Sequence, residues 1–359
     1  MHLGLLTTSY PRHAGDYAGS FVGDRVQQLL SAGHSVEVLA AGDSDCGVEA
    51  QLADGDGAQL VGGRLRVVRI RGGAPLFYGA GAPEALEQGT AAWLAAARFS
   101  TALAAAARAR AGCWDAVESH WLVPCALAAS ASAPALSRRA YAHSGDVALL
   151  ERIPFGRALA RRLGRDGTQL RFVSHELKAR FARLCGAPAG TVEPLAVPAS
   201  LFSRRTEPDP DLRRRLGLGA PTVLAVGRLV PIKGHERLLR ACARVSASDV
   251  DTRTAKPEVV ILGDGPERER LVRVAAAFGV RLRLPGFVPR AEVADWLRAA
   301  DLYVQPSIRL PNGRAEGSPI ATREARAIGV PVVVANDFPS LGEAIRGLLA
   351  GYDRTVKSV

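Results

Sequence analysis

Val223-Leu224-Ala225-Val226, running into Gly227-Arg228-Leu229-Val230-Pro231-Ile232-Lys233-Gly234, reads as a buried strand followed by a tight cationic loop. An apolar run without polar alternation suits a strand covered on both faces, as in parallel sheets. The two glycines let the loop turn sharply. Arg228 and Lys233, five residues apart, are placed to straddle a diphosphate, although either cation alone reads equally well as a solvated surface charge. The same pattern recurs along most of the chain. Candidate strands are Leu3–Thr8, Ser35–Ala40, Leu65–Ile70, Ala116–Glu118, Arg139–Ala142 and Leu170–Val173, then Thr222–Val226, Glu258–Leu262, Arg281–Leu284, Leu302–Gln305 and Val332–Ala335. Helical patterns such as Phe21–Ala32, Glu87–Ala111 and Arg157–Leu163 lie between them. This alternation predicts an α/β protein of parallel, doubly wound sheets.

The stretch Pro198 to Pro221 interrupts the alternation. It carries Pro208, Pro210 and Gly219, an arginine run at Arg213–Arg215, and no strand signal. It divides the chain into an N-terminal domain over 1–200, a linker over 201–221, a C-terminal domain over 222–345 and a tail over 346–359. Two such domains in tandem would bind ligands in a cleft at the carboxyl ends of their strands.

Charge follows the same division. Residues 1–200 hold 20 basic against 17 acidic side chains and residues 201–359 hold 26 against 18, so the excess favours an anionic ligand in the second half. Aromatic residues make up only 6% and none interleaves with arginines as a base-stacking platform would require, so no nucleic-acid partner is expected. Five cysteines, odd in number and without a Cys-x-x-Cys pair, predict neither structural zinc nor a disulfide framework, and a reducing cytoplasm. The longest apolar stretch, Ala91 to Ala111, is alanine-rich and broken by Arg98, Arg108 and Arg110, which excludes it as a membrane span. Arg152, Arg157, Arg161, Arg162 and Arg165, interleaved with Ile153, Phe155, Leu159 and Leu163, instead fit an anionic inner-membrane surface or, as the rival to an enzyme, a charge-driven binder of membrane or nucleic acid.

Further along, Ser318 suits a helix N-cap, Pro319 the first helical position, and Gly329 and Pro331 the end. A helix from Pro319 to Ile328 would aim free backbone N–H groups at an anion. Glu316 lies just before it and Glu324 in its second turn. Two carboxylates beside an anion site repel it unless they serve something else, such as sugar hydroxyls; equally, Glu324 could pair with Arg323 or Arg326 in solvent and Glu316 could be a helix-start carboxylate. Asp43-Ser44-Asp45 mimics a metal-binding Asp-x-Asp but is better read as a loop. Gly263-Asp264-Gly265 lacks the third glycine of a dinucleotide fingerprint.

Gly227-Arg228 to Lys233-Gly234, Gly263-x-Gly265-Pro266, Gly286-Phe287-Val288, Ala300-Asp301 to Pro306-Ser307 and Glu316-x7-Glu324 occur in an order that resembles the retaining glycosyltransferases of family 4. The resemblance is close over residues 216–345 and looser before them. It implies the GT-B fold, two Rossmann-like domains facing a central cleft. It further implies transfer of a sugar from a UDP- or GDP-sugar to a hydroxyl acceptor, with no metal or other cofactor. Arg228 and Lys233 would bind the donor diphosphate, Glu316 the transferred sugar, Glu324 the ribose, and the backbone of Ser318, Pro319 and Ile320 the sugar and distal phosphate. Val288 would lie against the base. In the N-terminal half, Gly15 and Gly19 match the family's glycine loop after the first strand. His120 would position sugar or acceptor, and His143 with Asp146 would contact the donor sugar. Asn336-Asp337 stands where paired glycines are usual, and the tail is shorter than the family's.

Overall fold

A computed structural model describes residues 1–13, 16, 18–42, 65–78, 85–86, 89–204, 209–248, 256–311, 315–316, 319–334 and 338–350. The chain divides into two compact units, Met1–Ala196 and Val197–Val359.

The first unit is built on strands β1 (His2–Leu6), β2 (Ser35–Ala41), β3 (Leu65–Ile70), β4 (Ala116–His120), β5 (Ser137–Ala142), β6 (Gln169–Phe172) and β7 (Thr191–Val192). They form one parallel sheet in the order β3-β2-β1-β4-β5-β6-β7. Alternate residues enter opposite cores: Leu5, Val38 and Val67 pack on one face with Val22 and Val26, while Leu6, Leu39 and Val68 pack on the other with Phe99 and Leu103. The helices covering these faces include α1 (Ser20–Ser31), α2 (Ala74–Phe77), α3 (Thr90–Arg110), α4 (Leu127–Ser132), α5 (Ser144–Arg152), α6 (Gly156–Arg165) and α7 (His175–Cys185).

The second unit repeats the scheme with β8 (Thr222–Val226), β9 (Glu258–Leu262), β10 (Arg281–Gly286), β11 (Leu302–Gln305) and β12 (Val332–Val334), in parallel order β10-β9-β8-β11-β12. Val223, Ile261 and Val304 face one core and Leu224, Val260 and Tyr303 the other. Its helices include α8 (Leu212–Arg215), α9 (His235–Ser248), α10 (Arg268–Ala277), α11 (Arg290–Ala299), α12 (Ile320–Ile328) and α13 (Phe338–Ala350). The expected strands are all present, within two residues at each end, and the short edge strand β7 is additional. In both sheets the order reverses beside the first strand, between β1 and β4 and between β8 and β11, which is where doubly wound sheets open a crevice.

Of the expected linker over 201–221, residues 201–204 and 209–221 are described, and Phe202, Leu212 and Leu218 among them are buried in the second unit's core. Arg213 clasps them to it, donating to the carbonyls of Ala299 (2.5 Å) and Ala220 (2.8 Å) and to Asp301 Oδ2 (3.1 Å). Asp301, itself buried, also accepts from the Thr222 N–H at 2.8 Å, so one carboxylate ties the starts of β8 and β11 to this segment. The proline and glycine punctuation marked irregular backbone, which is not the same as detachment from a core. Arg213→Met should leave those acceptors under-satisfied and lower stability by about 2 kcal/mol in urea denaturation; an unchanged midpoint would show that the clasp contributes nothing.

Candidate active site

In the second unit the polar groups gather at the reversal point of the sheet. The β8 strand gives way to a loop that closes in the turn Pro231–Lys233, and Gly234 ends the turn at φ 66°. A side chain at Gly234 would meet the carbonyl of Pro306, so glycine is required for the β8 and β11 loops to pack this closely. The approach sets Lys233 against Glu316: its Nζ donates to Glu316 Oε1, and each side chain is 17% exposed. The other oxygen, Oε2, accepts from Gln305 Nε2 (2.9 Å) and from the hydroxyl of Ser307. Gln305 is held in turn by Tyr303, whose hydroxyl donates to its Oε1 at 2.6 Å. Lys233 is therefore not a freely solvated cation; it is aimed by a carboxylate that the end of β11 has oriented.

His235, to which the sequence gave no role, pins the same loop. It is buried at the start of α9, with Nε2 3.2 Å from the Arg228 carbonyl. Burial, then the neighbouring Lys233, lowers its pKa to about 4, so the ring is neutral at pH 7 and Nε2–H can donate to that carbonyl.

Two expectations here are corrected. The Pro319 helix starts one residue later, at Ile320, with Pro319 as its N-cap in extended conformation. The extended ψ of Pro319, 117°, keeps it outside the first turn. Glu324 is buried rather than facing solvent, and its partner is Arg290 at the start of α11, not Arg323 or Arg326. The Arg290 guanidinium lies over the Phe202 ring at 5.2 Å. Val288 packs partly buried against the same core, with Phe287 exposed beside it. Ser318 lies outside the described residues, as do Gly15 and Asp43-Ser44-Asp45.

In the first unit Gly19 enters α1 at φ 71° against the backbone of Ser9, which fixes where the loop after β1 turns into the helix. At the ends of β4 and β5, His120 Nδ1 and His143 Nε2 stand 3.3 Å apart. His120 is fully buried and stacked on Tyr141, and His143 is also buried, between Phe21 and Trp121. Trp121 turns its ring onto His143 from a backbone at φ 83°, a conformation that costs a bulky residue on the order of 1–3 kcal/mol and is concentrated at functional sites. Asp146 Oδ2 accepts from the N–H groups of Leu122 (2.7 Å) and His143 (3.2 Å), and Oδ1 from Val147 (2.9 Å). Burial outweighs those bonds and raises the Asp146 carboxyl to about 7. Sequence reading also missed Glu118, buried on β4 and held by both nitrogens of an Arg25 fork at 2.8 Å.

Comparison with known proteins fits this geometry. Residues 210–352 match the family described as Glycosyl transferases group 1. A GDP-mannose-dependent alpha-(1-6)-phosphatidylinositol monomannoside mannosyltransferase of Mycolicibacterium smegmatis is 35% identical over 212 residues, 57% of this chain and 52% of that one. The chain thus spans about half the length of the first curated relatives that it matches. Among solved structures, sucrose-phosphate synthase from Thermosynechococcus elongatus superposes with a TM-score of 0.71 at 18% identity, covering 99% of this chain and 91% of that one. Anabaena HepE, solved with UDP and glucose, gives 0.64 at 16% identity, covering 100% and 92%. These likenesses show the fold: two Rossmann-like α/β domains of the GT-B class.

The state of His235 has a consequence for stability. Its folded pKa is depressed, so the stabilisation is complete above about pH 6.5 and is lost as pH falls towards 4, on the order of 3 kcal/mol in all and about 2 by pH 5. Urea denaturation at pH 7 and pH 5 should show His235→Gln losing less stability over that interval than the parent protein. Equal losses would mean that the ring is not buried neutral.

Proposed function

We propose that this protein is a retaining glycosyltransferase of family 4 that moves a sugar from a UDP- or GDP-sugar to a hydroxyl of a glycan, lipid or small molecule, without a metal ion. The observation that carries the reading is the Lys233–Glu316 pair at the sheet's reversal point, oriented by Gln305 and Ser307. When a sugar leaves a nucleoside diphosphate, negative charge grows on the phosphate while the sugar becomes cationic. A fixed ammonium next to a fixed carboxylate matches those two charges. Arg228 on the same loop adds a second cation. Helix α12 adds its N-terminus, whose first turn has no side-chain cap among the described residues. Together they supply the positive potential for which other transferases use a metal ion. Glu324, fixed by Arg290, is the proposed ribose anchor, and the segment at Val288 the seat of the base. Gly15, Gly19, His143 and Asp146 are proposed to border the sugar, with His120 behind His143. The relatives' printed names, one GDP-mannose-dependent and one structure with UDP and glucose, support the donor class.

The partner proposal concerns α6. Its inner face buries Gly156, Ala160 and Leu163, and its outer face carries Arg157, Arg161, Arg162 and Arg165, none of them ion-paired among the described residues. Phe155 stands 75% exposed at its N-terminus. One exposed aromatic beside four unpaired cations suits an anionic lipid surface better than nucleic acid, which would need several stacking rings. No helix among the described residues is long and apolar enough to cross a membrane. The rival reading, a basic binder without catalysis, predicts no preference among nucleotide bases.

Lys233→Ala should lower sugar-nucleotide turnover roughly 10²–10³-fold with the thermal midpoint unchanged, and chelators should leave the parent rate intact. Wild-type turnover in the variant would refute the site, and a rate abolished by chelation would refute metal independence. Binding to phosphatidylglycerol vesicles at low salt should weaken about fivefold for each arginine of α6 replaced by alanine. Equal binding to neutral and anionic vesicles would refute the membrane surface.

A further inference from the structure

Behind His143 lies a row of buried groups that the proposed reaction leaves unused. Arg25 on α1 grips both oxygens of Glu118; Glu118 Oε1 is 3.5 Å from His120 Nε2; and His120 Nδ1 is 3.3 Å from His143 Nε2. Four side chains from three elements thus make one line. The other charged and titratable groups on it are Arg139, 3.9 Å from Glu118 Oε2, and Tyr141, stacked on His120, whose hydroxyl donates to Glu193 at 2.5 Å. Asp146 accepts from the His143 N–H, and its own N–H donates to the His143 side chain, a capping box at the start of α5.

Where protons sit along this line follows from its ends. Burial would raise the Glu118 carboxyl, but Arg25 and His120 outweigh it and bring it down to about 2, so an acceptor faces His120 Nε2 at neutral pH. A lone pair on that nitrogen would face a carboxylate across 3.5 Å in a dry interior, so Nε2 must carry hydrogen. In a neutral His120 this leaves Nδ1 as a lone pair. The two nitrogens facing each other at 3.3 Å can share only one hydrogen, which then belongs to His143 Nε2. Burial, reinforced by His120, keeps His143 itself unprotonated.

We propose that Arg25, Glu118 and His120 are positioning residues that act through His143, holding its ring in place as the neutral Nε2–H tautomer with Nδ1 as an acceptor. The geometry rests on no assumed activity; its value to catalysis rests on the glycosyltransferase reading. Nδ1 held as an acceptor meets the N–H of Asp146 in the capping box that starts α5, so the row fixes the ring at this end of the first sheet.

Nitrogen-15 spectroscopy of histidine-labelled protein tests this without any substrate. At pH 7.5 both rings should show protonated Nε2 and unprotonated Nδ1. In Glu118→Gln, which keeps the shape and removes the charge, His120 should shift towards Nδ1–H and His143 should lose its single tautomer. A parent His143 protonated on Nδ1, or a Glu118→Gln spectrum unchanged in both rings, overturns the proposal. Should that variant unfold, Arg25→Lys, which loosens the grip on Glu118 without emptying the site, should broaden the same two signals; sharp unchanged signals in a folded Arg25→Lys protein overturn it equally. In the enzyme assay Glu118→Gln should raise KM for the sugar nucleotide. An inactive parent enzyme would count against the glycosyltransferase reading and leave the tautomer result standing.

Discussion

Both sheets are covered on both faces, and the rest of the structure follows from that burial. A strand such as Val223–Val226 has no solvent side on which to carry polar chemistry, so the polar groups are forced to its carboxyl end. There the strand order reverses and neighbouring connections depart to opposite faces, leaving a gap that the next strand's loop borders. Lys233 and Glu316, 83 residues apart in sequence, meet because β8 and β11 are neighbours at that gap. His120 and His143 are brought together in the same way, at the ends of adjacent strands β4 and β5.

The two constellations differ in how their charges are handled. In the second domain the carboxylate and ammonium stay partly exposed, so an arriving anion can exchange for part of their mutual attraction. In the first, charge is sequestered: Glu118 is closed off by Arg25, His120 beyond it is buried, and burial keeps His143 neutral. One site is built to meet ionic change, the other to keep a fixed pattern of donors and acceptors.

Much of this was legible in the chain because the signals were local. Apolar runs of four to seven residues gave the strands, and Gly227, Gly234 and Gly329 marked real turns in the left-handed region. Pro319, read as the first helical position, located the start of α12 to within a residue. What stayed hidden was decided by tertiary approach. Arg290 reaches Glu324 across 34 residues and Arg25 reaches Glu118 across 93, and in neither case does local sequence distinguish the arginine from its many exposed counterparts. Exposure was misread for the same reason. A histidine at a strand end looks exposed, and only the stacking of Tyr141 against one face of His120, with Phe21 tilted against it, shows how fully it is buried.

The clasp of Arg213 on Asp301 bears on how the molecule divides. Residues 197–221 look like connecting tissue, yet Phe202, Leu212 and Leu218 are among the side chains that close the core beneath β8 and β11. The boundary of independent structure therefore falls at Ala196/Val197. A fragment begun at Thr222 would open that core and strand Asp301; one begun at Val197 would carry its own floor. Insertions at Phe202, Leu212 or Leu218 would accordingly disturb that core, so a fusion point belongs beside Ala196.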